Sequence, residues 1–152
     1  LFMAGKHVSL LIHFTWSTAG REPMIAPEWR ERLYGYIGGV LKKKKAVLLG
    51  AGGMPDHIHL YASLPSTITL AEIVNAMKAN SSRWVHETFP CLKGFAWQKG
   101  YGAFSVSKSA EKKVIEYIRG QELHHRKRDF KSEFIELLNK HGIEYDERYL
   151  WD

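Results

Sequence analysis

A run of strict alternation near the start of the chain constrains the fold most. In residues 8–16, Val8, Leu10, Ile12, Phe14 and Trp16 fall on one side of an extended backbone, and Ser9, His13 and Thr15 on the other. That period of two marks a strand whose single apolar face needs a covering layer. A loop with Gly20, Pro23 and Pro27 follows, and residues 28–44 then switch to helical spacing through Trp29, Leu33, Ile37 and Val40/Leu41. The basic run Lys42 to Lys45 reads as the end of this helix, where cations complement the helix dipole.

The pattern then repeats. Residues 46–50 form a short apolar strand, Gly52-Gly53-Met54-Pro55-Asp56 reads as a turn, and residues 57–64 alternate again. Residues 69–86 place Leu70, Ile73, Val74, Met77 and Trp84 at helical spacing, with Thr69 and Glu72 as a capping box. Residues 95–106, rich in aromatics and glycine, read as an irregular strand closing the sheet. Residues 109–124 form a further helix with Ser109 as cap and Val114, Ile115 and Ile118 as apolar stripe. A polar link at 124–128 leads to a short helix at 132–141 and a tail ending in Tyr149-Leu150-Trp151.

The order strand, helix, strand, strand, helix, strand predicts an α+β fold, a ferredoxin-like or RRM-like split βαβ sandwich. Its antiparallel sheet carries helices on one face and a tyrosine-bearing helix near the other. A chain of 152 residues fits one domain, with a core at about 8–124 and a helical tail at about 129–152. Because this topology serves several functions, the site must supply the chemistry.

Bulk properties narrow the classes. Lys and Arg outnumber Asp and Glu by 22 to 16, a net +6, which favours a polyanionic partner. The lone Cys91 cannot form an internal disulfide, and no apolar stretch nears the roughly 20 residues that span a bilayer. Residues 8–16 lack the charged leader and small-residue cleavage site of a signal peptide. A cytoplasmic protein is expected.

In Pro55-Asp56-His57-Ile58-His59-Leu60, alternation projects both imidazoles from one face, while Ile58, Leu60, Ala62 and Leu64 form the core side. Two imidazoles about 6–7 Å apart along a strand can converge on a divalent ion; they can equally be exposed strand residues or part of a polar network. Asp56 is a candidate to orient one ring, or a turn residue. On the helix at 109–124, Tyr117 and Gln121 are four residues apart and share a face. A phenol is a weak nucleophile at its ordinary pKa of about 10, so phosphoryl transfer through it needs a neighbouring cation. Two imidazoles and an amide form a neutral set that leaves the cation's charge for the phosphate oxygens.

At these residues the sequence resembles the HUH superfamily, specifically the single-tyrosine, IS200-like transposases of small bacterial insertion sequences. The matching segments are Pro55-Asp56-His57-Ile58-His59-Leu60, Ser81-Ser82-Arg83-Trp84, Trp97 to Tyr101 with Phe104 to Ser107, and Tyr117-Ile118-Arg119-Gly120-Gln121. The resemblance implies that His57 and His59 bind a divalent metal, Mg or Mn, with Gln121 completing the site. It implies that Tyr117 is the nucleophile that becomes joined to a DNA 5′ phosphate. It also implies single-stranded DNA with end hairpins as partner, and a homodimer in which one subunit's tyrosine helix can complete the other's site. The segment Ser105-Val106-Ser107-Lys108-Ser109 lacks the adjacent glycines that can serve relatives as a hinge, and Gly102 is the nearest glycine.

Lys78, Arg83, Lys99, Lys108, Lys112, Lys113 and Arg119 are expected around this site as contacts to the DNA backbone, with Tyr101 a stacking platform for an unpaired base and Trp97 a packing residue. His13 is expected on the same polar face as a phosphate contact, not a ligand. His86, His124, His125 and His141 read as surface residues. Three other readings stand beside the transposase: a noncatalytic single-stranded nucleic-acid-binding module, a replication-type HUH nickase, and a metal hydrolase in which water attacks.

Overall fold

The computed structural model describes residues 5–124 and 128–151. The first alternating run becomes β1 (Leu11–Ser17). Pairing with the neighbouring strand starts at Leu11↔Ser63, so Val8 and Leu10 lie ahead of the strand and stay exposed. β2 (Val47–Met54), β3 (His57–Ser63) and β4 (Gly102–Val106) complete a four-stranded sheet in the order β2-β3-β1-β4, antiparallel at every pairing. With α1 (Arg30–Lys43) and α2 (Leu70–Thr88) as crossovers, this is the expected split βαβ sandwich.

The two sheet faces have different fillings. Phe14, Trp16, Ile58, Leu60 and Ala62 point toward α1 and α2, where Leu33, Ile37, Leu41, Ile73, Met77 and Val85 close the main core. Each such large apolar side chain contributes about 1.5–3 kcal/mol by leaving water. Thr69 caps α2 as expected, its hydroxyl accepting from the Glu72 amide at 3.1 Å. The other face carries His13, Thr15, Ser17, His57, His59 and Tyr61, and all six are buried. Their cover is α3 (Glu111–Arg119), the one-turn α4 (Gln121–His124) and α5 (Phe130–Lys140).

Four local expectations are corrected. The glycine run at 52–53 belongs to β2 rather than to a turn: a Cβ on Gly52 would sit 2.1 Å from the Ile118 carbonyl oxygen of α3, and one on Gly53 would sit 2.4 Å from the His57 carbonyl oxygen of the paired strand. The helix at 109–124 is interrupted at Gly120, whose φ of −89° and ψ of 20° separate α3 from α4. Ser109 lies inside a 3₁₀ turn and does not cap; its hydroxyl meets that of Ser107 at 3.0 Å. The last helix begins at Phe130, because the Asp129 carboxylate accepts from the Ser132 amide at 3.0 Å and fixes the start there. Residues 125–127 of the polar link lie outside the described residues. Among the described residues no helix is long and apolar enough to cross a membrane.

Gly102, the nearest glycine to the tyrosine helix, opens β4 under α5. A Cβ there would come within 2.6 Å of the Phe134 ring, so its role is close packing. Phe104, Phe130, Phe134 and Leu138 form a small core that seats α5 on β4.

Candidate metal centre and nucleophile

The two central histidines are fully buried rather than exposed strand residues, and each ring is fixed from behind. His57 Nδ1 lies 2.7 Å from Asp56 Oδ1, and His59 Nδ1 lies 2.8 Å from His13 Nε2. The acceptor on Asp56 selects the tautomer of His57 that carries its proton on Nδ1 and leaves Nε2 as a lone pair. Burial, and then the neighbouring His59, push His13 down to about 3, so it is a neutral ring able to accept from His59. His13 is therefore part of the site as a partner of His59, where sequence reasoning placed it only nearby. Phe130 stacks on the His57 ring at 4.6 Å.

Both Nε2 atoms face a common point. Gln121 Oε1 is 3.0 Å from His57 Nε2, as the helical spacing predicted, although Gln121 opens α4 instead of continuing α3. Glu133 on α5, which sequence reasoning missed, is fully buried and places Oε1 2.8 Å from His59 Nε2 and 3.6 Å from His57 Nε2. Among the described residues His57, His59 and Glu133 bring ligand atoms within 4.8 Å of one another. A polar residue at an apolar-stripe position of α5, between Phe130 and Phe134, was the available signal.

Donors bound at about 2.0–2.2 Å in tetrahedral or octahedral geometry stand about 2.8–3.6 Å apart. The separations of 2.8, 3.0 and 3.6 Å fall at or near those edges, so the donor set fits a divalent cation. With a carboxylate present the set carries a negative charge, unlike the neutral set of two imidazoles and an amide.

Tyr117 comes to the same place. Its ring stands 5.8 Å from that of His59 and 6.3 Å from that of His13, and its hydroxyl donates to Glu133 Oε2. Arg128 Nη2 approaches the same hydroxyl at 3.5 Å. Burial first, then the charge and hydrogen bond of Glu133, raise the Tyr117 phenol well above its ordinary value, while Gln121 and Arg128 pull the other way. A cavity of about 360 Å³ between β4, α3 and α5 opens beside Tyr117, with Lys113, Arg128 and Lys140 in its wall.

The expected phosphate contacts divide. Lys113 lines the cavity at Tyr117, and Arg119 lines a second cavity of about 570 Å³ at Gln121. Lys112 is exposed on α3, while Lys108, also exposed, pairs with Glu111 at 2.8 Å. Lys78 and Arg83 belong to α2, across the sheet from the histidines, so the fold separates them from the site. Burial lowers Lys78 to about 8, and its ammonium donates to the carbonyls of Gln98, Lys99 and Gly100 at 2.7–3.1 Å. It fastens the loop before β4. Arg83 bonds Asn80 at 2.6 Å, Lys99 is exposed in that loop, and Tyr101 is 38% exposed with Lys78 over its ring. Trp97 packs edge-on against Trp16, as expected. His86 and His141 are exposed; the side chain of His124 and all of His125 lie outside the described residues.

Comparison with known proteins finds relatives over most of the chain. Residues 6–121 match the model of the family described as "Transposase IS200 like". The ISDra2 transposase TnpA of Deinococcus radiodurans is 25% identical over 122 residues, covering 77% of this chain and 87% of the relative. The transposase for insertion sequence element IS200 of Salmonella typhimurium is 29% identical over 112 residues, covering 64% and 73%. A crystal structure of a Deinococcus radiodurans R1 transposase superposes with a TM-score of 0.66 at 24% identity, over 78% of this chain and 95% of that one. A REP-associated tyrosine transposase bound to a REP hairpin superposes with a TM-score of 0.59 at 16% identity, over 82% and 74%. These two establish likeness of fold, and the family match spans most of the chain. The chain belongs to the IS200-like transposase family.

Proposed function

We propose that this transposase cuts and rejoins single-stranded DNA at insertion-sequence ends through a 5′-phosphotyrosine intermediate formed on Tyr117. The observation that carries the reading is the meeting of the Tyr117 hydroxyl and the His57 and His59 Nε2 atoms at one buried carboxylate, Glu133. In the cutting step Tyr117 Oη attacks phosphorus, a new P–O bond forms, and the P–O3′ bond breaks. The 3′ oxygen leaves with the electron pair and takes up a proton. Glu133 Oε2 is in place to receive the phenolic proton. Rejoining reverses the step, with a free 3′ hydroxyl attacking the phosphotyrosine and the tyrosine departing, so the bond energy is kept and no nucleotide cofactor is required.

His57, His59 and Gln121 would hold the divalent ion, Mg or Mn. When bound there, the ion supplies positive charge for the phosphate oxygens and the departing oxygen, and favours the phenolate. Hairpin-bearing single strands are the proposed partner, supported by the family and by the basic side chains on α3. Lys112, Lys113 and Arg119 are proposed backbone contacts, with Lys99, Lys108 and Tyr101 further along the same strand path. A homodimer belongs to the same proposal.

A covalent trap tests it. Incubated with a single-stranded oligonucleotide carrying an end hairpin and Mg or Mn, wild-type protein should yield a protein and DNA adduct stable to denaturation, with a free 3′ hydroxyl on the released strand. Tyr117→Phe and chelated samples should yield none. An undiminished adduct in Tyr117→Phe rejects the nucleophile, and cleavage that leaves both ends free points to attack by water.

A further inference from the structure

We propose that Glu133 is a fourth ligand of the cation and at the same time the clamp on the Tyr117 hydroxyl, one carboxylate oxygen serving each role. The inference rests on the metal-dependent reading above and adds to it a residue outside the family match, which ends at residue 121. It makes α5 a working part of the centre.

Three observations converge. First, the oxygens divide their partners: Oε1 stands 2.8 Å from His59 Nε2 and 3.6 Å from His57 Nε2, whereas Oε2 accepts from Tyr117. Oε1 therefore occupies the position a ligand would hold beside both imidazoles. Second, α5 is anchored on both sides of this residue. Asp129 caps the helix, Phe130 stacks on His57 at 4.6 Å, and Phe134 packs against Phe104, so Glu133 is directed at the sheet by its backbone. Third, Glu133 lies in the first turn of α5, where the helix dipole favours an anion.

A single carboxylate that touches both the cation and the nucleophile couples them. Cation binding then orients Glu133, and Glu133 orients the Tyr117 hydroxyl toward the same centre.

Direct titration of the full chain with Mn²⁺, reading free Mn²⁺ by electron paramagnetic resonance, tests this without any DNA or turnover. His57→Ala should abolish binding. Glu133→Gln, which keeps shape and removes charge, should weaken it by about tenfold or more, as should Glu133→Ala. Tyr117→Phe should shift Mn²⁺ affinity in the wild-type background and have no further effect in Glu133→Gln, a non-additive pair. Thermal unfolding in chelator shows whether each variant is folded, and Glu133→Asp serves as a second folded variant that retains charge but draws it back. Wild-type affinity in folded Glu133→Gln, with binding lost in His57→Ala, overturns the proposal and leaves the transposase reading standing. Additive effects of the Tyr117 and Glu133 changes overturn the coupling. Absence of Mn²⁺ binding by wild type overturns both this proposal and the metal dependence on which it rests.

Discussion

At the residue scale, the site is a chain of ring orientations. His59 can direct Nε2 inward because His13 occupies Nδ1 at 2.8 Å, and His57 can do so because Asp56 occupies its Nδ1 at 2.7 Å. His13→Ala should therefore weaken Mn²⁺ binding by about tenfold while leaving all four proposed ligands present; unchanged affinity in the titration would show that His59 is aimed by its strand alone. The His-x-His spacing and the Tyr117–Gln121 spacing were legible because strand and helix periods act on side chains a few residues apart. Glu133 stands out in sequence only as a polar residue on the apolar stripe of α5, and its place in the centre was not legible, since nothing in the local sequence says which surface the helix at the end of the chain will cover. Lys78 and Arg83 were misplaced for the same reason: a basic residue on an amphipathic helix has a face but no address until the helix is docked.

At the element scale, two close approaches set the cover over the histidines. Gly52 lets the end of α3 lie on β2, and Gly102 lets Phe134 lie on β4. Both read in sequence as turn or hinge glycines, because missing Cβ atoms permit either a left-handed backbone or a near neighbour, and only packing distinguishes the two. Asp129 fixes where α5 begins. The hydrogen bonds from Ser132 hold its carboxylate below the ordinary value, so its stabilising contribution is complete above pH about 4 and is lost as pH falls through the lowered value. Asp129→Ala should cost about 1 kcal/mol in urea unfolding at pH 7. The difference between the two proteins should shrink as the pH is lowered below about 4; a difference constant down to pH 2 would mean that the cap does not act through the charged carboxylate.

At the scale of the whole molecule, one chain brings the nucleophile to its own imidazoles. The Tyr117 ring stands 5.8 Å from His59 of the same chain, and α5 closes over both. The resemblance had implied that a partner's tyrosine helix can complete the site. The geometry predicts instead that mixing inactive Tyr117→Phe and His57→Ala proteins will not restore the covalent adduct. Recovery of adduct in the mixture would show that the tyrosine acts across subunits.

The sequence by itself determined the layered sheet, the face each strand residue occupies, that His57 and His59 share a strand face, and that Tyr117 and Gln121 share a helix face. Those features follow from backbone periods of two and of 3.6, which operate locally and repeat. Only the tertiary structure decided that the paired histidines are buried, that His13 supports one of them, and that Glu133 joins the centre from α5. Such contacts join β1, β3 and the end of the chain across 46 to 74 residues, and no local period encodes a meeting at that separation. It is fixed by which apolar faces must be covered, here Phe104 by Phe130, Phe134 and Leu138.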